Sequence, residues 1–488
     1  MRSAIPLSVL AFLAIAATPV LASPPELPSP GERPAPAEEP AVEKSTRLQL
    51  KTAGTSTTKV VNSTAHEGET AITALNISGV DHTVGAYMRF DEATKIWRVR
   101  TLKSTNLSTW THVLPGLPTG HTESVDPVLD NNPYTTGVAP LRTYLGGLTY
   151  ATNASGTRIK PEAIVVWNST NGGTSWSAPV KVEENVSNNT YSLDKPEVAV
   201  SWYNQAPSSR GWLFVAYMRV AGTQTKLMVS KSTDGGATFS APVQAAIGKI
   251  HAPQIFVSSS TGRVYVVYVD FAANAIKMAI SSDNGATWTT ETAATASFAL
   301  LDPFVSGSPN INGSASCKVW AVTIPSARYN WVTDSIGVVW HEREASGSTS
   351  PTTVWFVAKT AAGWQPKKQL TAGVAGDQWH PTLDFNTSGA WLVVYHDRSN
   401  DAANRYFRQA WVQTDHLGNQ TGAGYVFNPF DNDPAIFQET PTTVCFRGDY
   451  QEVWFWPYAS GGGRYQSLWA GNPVSGGAVH DIYLSSVQ

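Results

Sequence analysis

Short apolar runs recur along this chain, and each ends in an aromatic residue followed by two further residues. Short apolar runs bounded by turn residues are typical of buried β-strands. Successive aromatic residues are 63, 67, 51, 72, 55 and 59 residues apart, which suits one four-stranded unit with its loops. The copies are Tyr87-Met-Arg89, Tyr150-Ala-Thr152, Tyr217-Met-Arg219, Tyr268-Val-Asp270, Trp340-His-Glu342, Tyr395-His-Asp397 and Trp454-Phe-Trp456. The pattern predicts the second strand of seven repeats.

Two other series of strands keep step with this one. First strands are predicted to start at Glu69, Asp126-Pro127, Lys195-Pro196, Ala252-Pro253, Asp302-Pro303, His380-Pro381 and Asp449. Third strands are predicted over residues 97–102, 163–167, 226–230, 276–280, 354–358, 408–412 and 482–485. With 38 Gly and 31 Pro residues for turns, the chain is predicted to be all-β. The architecture is a β-propeller of four-stranded antiparallel blades, with seven blades favoured and six as the alternative.

A turn motif follows several of the third strands. It reads Ser-x-Asp/Asn-x-Gly-x-Thr/Ser-aromatic, in which Asp or Asn bonds the backbone of its own loop and Gly adopts positive φ. The residues that define its three copies are Ser169, Asn171, Gly173, Trp176, Ser232, Asp234, Gly236, Phe239, Ser281, Asp283, Gly285 and Trp288. A fourth, altered copy runs from Ser104 to Trp110. The motif predicts a hairpin turn between the third and fourth strands.

This motif resembles the Asp-box, or BNR repeat, of the sialidase/neuraminidase-like superfamily of β-propellers. In that family the box is a structural turn on the face away from the ligand. Antiparallel connections place first-strand starts and second-strand ends at one face, called the start face here, and the Asp-box turns at the other, called the turn face. The resemblance therefore implies a ligand site on the start face.

The resemblance also implies roles for start-face residues. In sialidases three arginines bind the substrate carboxylate, a Tyr assisted by Glu is the nucleophile and an Asp is the acid/base. Candidate catalytic residues are Tyr450, Glu69, Glu197 and Asp126, and candidate ligand-binding residues are Arg89, Arg219, Arg398 and Arg447. A secreted sialidase-like propeller, an exo-sialidase or related glycoside hydrolase acting on extracellular glycans, is the predicted function. A non-catalytic propeller that binds glycan or protein and a structural surface scaffold are the alternatives.

The N-terminal residues predict export. Residues 1–22 read as a signal peptide, with an apolar run too short for a membrane span and small residues before a cleavage site after Ala22. Residues 23–44 are rich in Pro, Glu and Ala and read as a disordered spacer. Residues 45–488 are predicted to form a single propeller that is secreted or periplasmic.

The charge of the chain limits the classes of partner that the sequence predicts. The 34 basic and 37 acidic residues give a net charge of −3, so no nucleic-acid footprint is predicted. Extracellular carbohydrate or glycoprotein is the expected partner, the protein is expected to be a monomer, and no cofactor or metal is predicted. Cys317 and Cys445 form either a disulfide or two buried thiols.

The last repeat lacks the sequence for a fourth strand. After the third strand at residues 482–485 the chain ends, so the last blade lacks an outermost strand. The segment of about residues 47–62 is the only remaining strand former. It is predicted to pair with the C-terminal strand and close the ring.

Overall fold

The computed structural model describes residues 55–61, 65–132, 141–187, 191–202, 209–298, 301–304, 310–311, 318–343, 350–425, 432–433, 444–445, 449–457, 463–471 and 481–487. The predicted signal peptide and spacer lie outside these residues and stay predictions. Every sheet but one in the described part of the chain is a propeller blade. This part contains no helix with the length and hydropathy of a membrane span.

The chain forms seven antiparallel blades around a central axis, as predicted. The described part starts with β1 (Thr55–Lys59), which belongs to the last blade. The first four blades, each from its innermost strand outward, are β2 (Glu67–Ile77), β3 (Val80–Asp91), β4 (Ile96–Ser104), β5 (Thr111–Val113); β6 (Glu123–Asn132), β7 (Arg142–Thr152), β8 (Arg158–Ser169), β9 (Val180–Asn185); β10 (Ser192–Val200), β11 (Leu213–Ala221), β12 (Gln224–Ser232), β13 (Val243–Gly248); β14 (Ile250–Val257), β15 (Val264–Asp270), β16 (Ala275–Ser281) and β17 (Thr289–Thr295).

The remaining blades follow a small additional sheet. That sheet consists of β18 (Asn310–Ile311), β19 (Lys318–Trp320) and, arriving much later in the chain, β29 (Val444–Cys445). The fifth to seventh blades are β20 (Ser326–Asn330), β21 (Ser335–Glu342), β22 (Thr353–Thr360), β23 (Gly363–Trp364) with β24 (Lys368–Gln369); β25 (Gln378–Phe385), β26 (Trp391–Asp397), β27 (Arg408–Thr414), β28 (Gln420–Tyr425); β30 (Glu452–Pro457), β31 (Gly463–Gly471) and β32 (Asp481–Val487). Cys445 pairs with Val319 in the small sheet, whereas Cys317 lies outside the described residues, so the disulfide alternative stays open.

Two blades differ from the prediction, the fifth in its start and the seventh in its second strand. The innermost strand of the fifth blade is β20, so the predicted start at Asp302 is wrong, and Asp302 instead bonds Lys249 of the fourth blade. Trp454 and Trp456 lie in β30, the innermost strand of the seventh blade, and its second strand is β31. The prediction failed there because β30 carries the same aromatic pattern as the second strands of other blades.

Burial decreases from the axis outward, which explains the sequence pattern. Second strands such as β26 are buried along their whole length, so both of their faces are apolar. Outermost strands such as β17 are mostly exposed and carry Thr, Glu and Ala. Apolar side chains of neighbouring blades pack face to face, as Val84, Leu145 and Trp167 do between the first two blades.

Ring closure is confirmed. Strand β1 pairs antiparallel with β32, from Thr55 opposite Val487 to Lys59 opposite Tyr483. Lys59 also forms an ion pair with Asp481 at 2.5 Å. Val60 and Val61 then pack between the last and first blades. The N-terminal segment thereby supplies the strand that the C terminus lacks.

The two Asp-containing repeated turns share one hydrogen-bond pattern. Asp234 Oδ1 accepts the backbone N–H groups of Ala237 and Thr238, both at 3.0 Å, and Ser232 Oγ donates to the same oxygen at 2.7 Å. Asp283 repeats these contacts with Ala286, Thr287 and Ser281. The conserved geometry needs Gly236 and Gly285, whose φ values are +84° and +81°. The motif is therefore a self-contained structural turn.

We expect Asp234→Ala and Asp283→Ala to lower the free energy of unfolding by about 1 kcal/mol each, since each turn loses its acceptor but remains accessible to water. Burial raises the pKa of Asp234, but its hydrogen bonds together outweigh this effect and lower the pKa to about 2. The hydrogen bonds of Asp283, that from the Thr287 hydroxyl first, lower its pKa to about 2 as well. The difference from the wild type should therefore be complete above about pH 4 and vanish as pH falls through 2. Urea unfolding measures it, and Glu92→Ala, which removes an exposed pair with Lys95, is the control. Equal losses of unfolding free energy in all three variants would contradict the structural role of Asp234 and Asp283 in their turns.

Two truncated proteins test ring closure. A chain that starts at Thr55 keeps β1, whereas a chain that starts at Val60 exposes the edge of β32. We expect the shorter chain to unfold at lower urea concentration and to aggregate, because an unpaired strand edge favours association. Identical urea midpoints and identical light scattering would contradict the role of β1.

Candidate functional site

Five innermost strands start with the same backbone irregularity. Each has a register shift and a residue at positive φ, between +38° and +56°, namely Glu69, Asp126, Lys195, Ala252 and His380. A β-bulge redirects a side chain relative to regular pleating. Because Ala252 shares the conformation, the bulge belongs to the fold, and the side-chain types decide the chemistry.

Three of these bulges meet in a buried ion cluster at the start-face end of the axis. Lys195 Nζ lies 3.6 Å from Asp126 Oδ1 and 3.8 Å from Glu69 Oε1. It also donates to Asp449 Oδ2. The other oxygen of Asp449 accepts the indole N–H of Trp320, from the small sheet, at 2.6 Å. One cation thus holds three carboxylates from different blades.

Burial and mutual charge set the protonation of this cluster. Burial by itself would lower the pKa of Lys195, but Asp126, Asp449, Glu69 and Asp194 together raise it well above its ordinary value. Burial raises the pKa of Glu69, and the neighbouring charge of Asp126 raises it further. Lys195 is therefore charged at neutral pH, and its charge is what makes the carboxylates tolerable there.

Tyr450 borders this cluster. Its hydroxyl donates to the Pro127 carbonyl oxygen at 3.2 Å, and Lys195 Nζ lies 5.6 Å from its ring centroid. Burial raises the pKa of Tyr450 well above its ordinary value, and the carboxylates of Glu69 and Asp126 add to this effect. Its resting state is the neutral phenol.

A second group of charged residues lies farther along the axis. Arg328 Nη2 forms a 2.5 Å ion pair with Glu452 Oε1, and Glu452 Oε2 accepts the backbone N–H of Ile72 at 2.9 Å. The charges of Glu452, Asp384 and Asp130 outweigh the effect of burial and raise the pKa of Arg328. Burial raises the pKa of Glu452, and Arg328 opposes this. Glu452 is thus anchored on both of its oxygens.

Polar side chains of the innermost strands join neighbouring blades in a regular way. Asp130 accepts the backbone N–H of Val200 at 2.8 Å, and Asp384 accepts that of Phe455 at 2.5 Å. Burial raises the pKa of Asp130 to about 7 and that of Asp384 to about 6. Each contact runs to the next blade, as the contact from Glu452 to Ile72 does. These carboxylates accept hydrogen bonds from backbone N–H groups of innermost strands that have no neighbouring strand on the axial side to bond them.

Glu197 departs from this rule. It lies two residues beyond the bulge of its strand. At the equivalent position of later blades, Gln254 accepts the backbone N–H of Ala327 and Ser326 accepts that of Leu383, each from the next blade. Within the described chain no hydrogen bond to the Glu197 carboxyl is present. Burial raises its pKa well above the ordinary value, and the charge of Glu452 raises it further. Burial therefore favours the protonated form of Glu197, whose carboxyl has no hydrogen-bond partner among the described residues.

Glu197, Glu452 and Arg328 line one cavity of about 410 Å³ on the propeller axis. Asp449 and Tyr450 bound its start-face end. Apolar and aromatic side chains, including Phe256 and Trp456, form much of the remaining wall. A largely apolar cavity with a few converging polar groups is the usual form of a small-ligand site.

The structure brings the predicted catalytic residues to the axis but not the predicted arginines. Arg219 forms ion pairs with Glu183 at 2.8 to 3.1 Å. Arg398 is fully buried and pairs with Asp377 at 3.3 Å. These two and Arg89 do not line the cavity, and Arg447 lies outside the described residues. Among the described residues, one guanidinium lines the cavity, that of Arg328.

Sequence reasoning missed Arg328 and Glu452. Arg328 was missed because the first strand of the fifth blade was predicted to start at Asp302. Glu452 was missed because its strand was predicted to be the second strand of the seventh blade and not the innermost one. A signal was present, because Ile324-Pro325-Ser326 repeats the X-Pro start of the other innermost strands. Counting four residues from Ile324 leads to Arg328, as counting four from Asp126 leads to Asp130.

Comparisons with solved structures give low sequence identities and TM-scores below 0.5. No protein-family model matches the chain, and no curated protein matches it. The Hadza microbial sialidase Hz136 has 14% identity and a TM-score of 0.45, with 74% of this chain and 66% of that chain covered. Trypanosoma rangeli sialidase in complex with sialic acid has 12% identity and a TM-score of 0.42, with 90% and 58% covered. The GH93 α-L-arabinofuranosidase of Fusarium graminearum has 12% identity and a TM-score of 0.42, with 76% and 95% covered. This chain therefore spans less than two thirds of the first two proteins, and no activity is inferred from these matches.

The ion cluster makes a testable contribution to stability. Lys195→Met leaves Glu69, Asp126 and Asp449 buried without their counter-charge, so we expect a loss of about 3–5 kcal/mol in unfolding free energy at neutral pH. Because the folded pKa of Glu69 is raised, a protonated Glu69 relieves the defect, and the loss should be smaller at about pH 5 than at about pH 8. Urea unfolding at the two pH values measures this.

The matched control is Lys277→Met, which removes a half-exposed pair with Asp270 at 2.7 Å. Its loss should be about 1 kcal/mol or less. A Lys195→Met protein as stable as this control at both pH values would contradict the account of the cluster.

Proposed function

We propose that this protein binds a carbohydrate chain in the axial cavity and hydrolyses a glycosidic bond there. The observation that carries the proposal is the pair of carboxyl groups in one cavity with different environments. Glu197 has no hydrogen-bond partner among the described residues, whereas Glu452 is held by Arg328 and a backbone N–H. Two carboxyl groups, one protonated and one ionised, are what glycoside hydrolysis requires.

The two environments assign the roles. Burial favours the protonated form of Glu197, which donates its proton to the glycosidic oxygen as the bond to the anomeric carbon breaks. A water molecule adds its oxygen to the anomeric carbon, and its proton passes to Glu452. Burial raises the pKa of Glu452, and the ion pair with Arg328 opposes this and favours the ionised form that accepts the proton.

The position of the two carboxyl groups favours inversion. Glu197 lies in the third blade and Glu452 in the seventh, which are as far apart as two blades in a ring of seven can be. Inverting enzymes need room for water between carboxyl groups about 6.5–9.5 Å apart, whereas retaining enzymes place them closer. We therefore expect the product anomer to be the opposite of the substrate anomer.

The charge of the cavity favours a neutral glycan over a sialoside. Carboxyl side chains that line it are Asp130, Glu197, Asp384, Asp449 and Glu452. Against these, Arg328 is the single guanidinium among the described lining residues. Recognition of a sialic acid carboxylate by three arginines, implied by the resemblance, has no support in this lining. A hydroxylated sugar without charge fits these groups as donor and acceptor.

The same geometry argues against Tyr450 as nucleophile. Its phenol is neutral at rest and donates to Pro127, so no base activates it in the free protein. We interpret Tyr450, together with Glu69 and Asp126, as the wall that closes one end of the cavity.

Hydrolysis of neutral aryl glycosides and polysaccharides tests the proposal. The panel contains 4-methylumbelliferyl glycosides of glucose, galactose, xylose, arabinofuranose and sialic acid, and reducing-sugar release from xylan, β-glucan and arabinan. We expect Glu197→Gln and Glu452→Gln to lower kcat by about 100-fold or more on the neutral substrate that is turned over. Activity of the wild type should fall at alkaline pH as Glu197 loses its proton, because Glu197 acts as the acid.

Control variants separate this mechanism from the alternatives. Glu291→Gln, which alters an ion pair with Lys359 far from the axis, should keep wild-type activity. Tyr450→Phe should lower turnover far less than Glu197→Gln. Sialoside turnover abolished by Tyr450→Phe would instead support the sialidase mechanism. Binding without turnover would support the glycan-binding alternative, and the absence of both would leave the scaffold.

A further inference from the structure

The axial cavity has an aromatic end at the turn face. Trp202, Trp331 and Phe385 follow or end the innermost strands β10, β20 and β25, and Trp456 lies near the end of β30. All four side chains line the cavity. Innermost strands run from the start face to the turn face, so these residues surround the turn-face end.

The two ends of the cavity differ in chemistry. At the start-face end, Lys195 and its three carboxylates fill the space between blades, and Trp320 covers Asp449. At the turn-face end, Trp331 is 50% exposed and stands edge-on to Phe385, with ring centroids 6.0 Å apart. An apolar surface of this kind exposed beside a cavity marks a binding site more often than a structural one.

Buried indole donors give a second, independent observation. The Nε1 atoms of Trp454 and Trp456, which line the cavity, are buried and have no hydrogen-bond partner among the described residues. The same holds for Trp411 Nε1, which lines a smaller cavity of about 200 Å³ that shares Asn386, Thr387 and Phe455 with the first. A buried donor without an acceptor costs about 1–3 kcal/mol, so such groups are rare unless a ligand or water completes them.

We propose that the glycan enters the axial cavity from the turn face, with sugar rings against Trp331 and Trp456 and sugar oxygens accepting the free indole N–H groups. The inference rests on the proposed function and adds the direction of approach and the residues that hold the chain. Neutral sugar rings fit, since they present C–H groups to aromatic faces and hydroxyl oxygens to indole donors. This is the face opposite to the one that the sialidase resemblance implies.

Calorimetric titration tests the inference independently of turnover. Xylohexaose, cellohexaose, laminarihexaose and mannohexaose are titrated into the Glu197→Gln protein, which we expect not to consume them. For the oligosaccharide that binds, Trp331→Ala in the same background should weaken binding about 10-fold, and Trp456→Phe, which keeps a ring but removes the N–H, about 5-fold. Trp331→Tyr should recover most of the loss because it restores a flat aromatic surface.

A start-face control and melting temperatures complete the experiment. Ile159, which is 45% exposed near the start of β8, lies on the start face, and Ile159→Ala should leave binding unchanged. Unchanged melting temperatures exclude misfolding as the cause of weaker binding. Binding that is equal in all variants, binding weakened only by Ile159→Ala, or no binding of any of the four oligosaccharides would overturn the inference. If the tryptophan variants weaken binding but the Glu197→Gln single variant hydrolyses substrate as fast as the wild type, the inference stands and the assignment of Glu197 as the catalytic acid fails.

Discussion

The pairing of β1 with β32 is the interaction on which the rest of the structure depends. A propeller blade buries its faces against two neighbours, so an incomplete last blade would expose apolar surface on both sides of the gap. Closure by the N-terminal strand completes the seventh blade, and Val60 and Val61 then fill the contact with the first. Only a closed ring fixes the distances across the axis. The ion pairs that join the third, fifth and seventh blades therefore depend on a strand far from them.

Closing seven blades leaves a wide axis, and the protein uses its two ends differently. The start-face end holds charges that compensate one another, because Lys195 lies among Glu69, Asp126 and Asp449. Buried charges of this kind are tolerated when paired, and they exclude a ligand from that space. Farther along, Arg328 compensates part of the carboxylate charge, while burial raises the pKa of Glu197, whose carboxyl has no hydrogen-bond partner among the described residues. The buried indole N–H groups of Trp454 and Trp456, which have no hydrogen-bond partner among the described residues, line the same cavity.

The sequence predicted the architecture well because its signals are local. Apolar runs and turn chemistry are visible within single strands, so the blade number, all seven third strands and the closing strand were found. The assignment of strands within a blade was wrong where two kinds of strand share a local pattern. The sequence of β30 resembles that of a second strand, and Asp302-Pro303 resembles the start of a first strand. The site was only partly accessible for the same reason. Glu69, Asp126, Glu197 and Tyr450 were named from strand starts. The ion pair between Arg219 and Glu183 of the preceding blade, and the pair between Arg328 and Glu452, depend on contacts between different blades, which single strands do not reveal.

The central claim is that the axial cavity is the carbohydrate site, with Glu197 beside the bond that is cleaved. A crystal structure of the Glu197→Gln protein with the oligosaccharide that the wild type hydrolyses tests this most directly. The account predicts a sugar chain that passes between Trp331 and Trp456 and places a glycosidic oxygen within hydrogen-bond distance of the side chain at position 197. A sugar bound on the start face or on the outer strands, with the axial cavity holding only water, would contradict it.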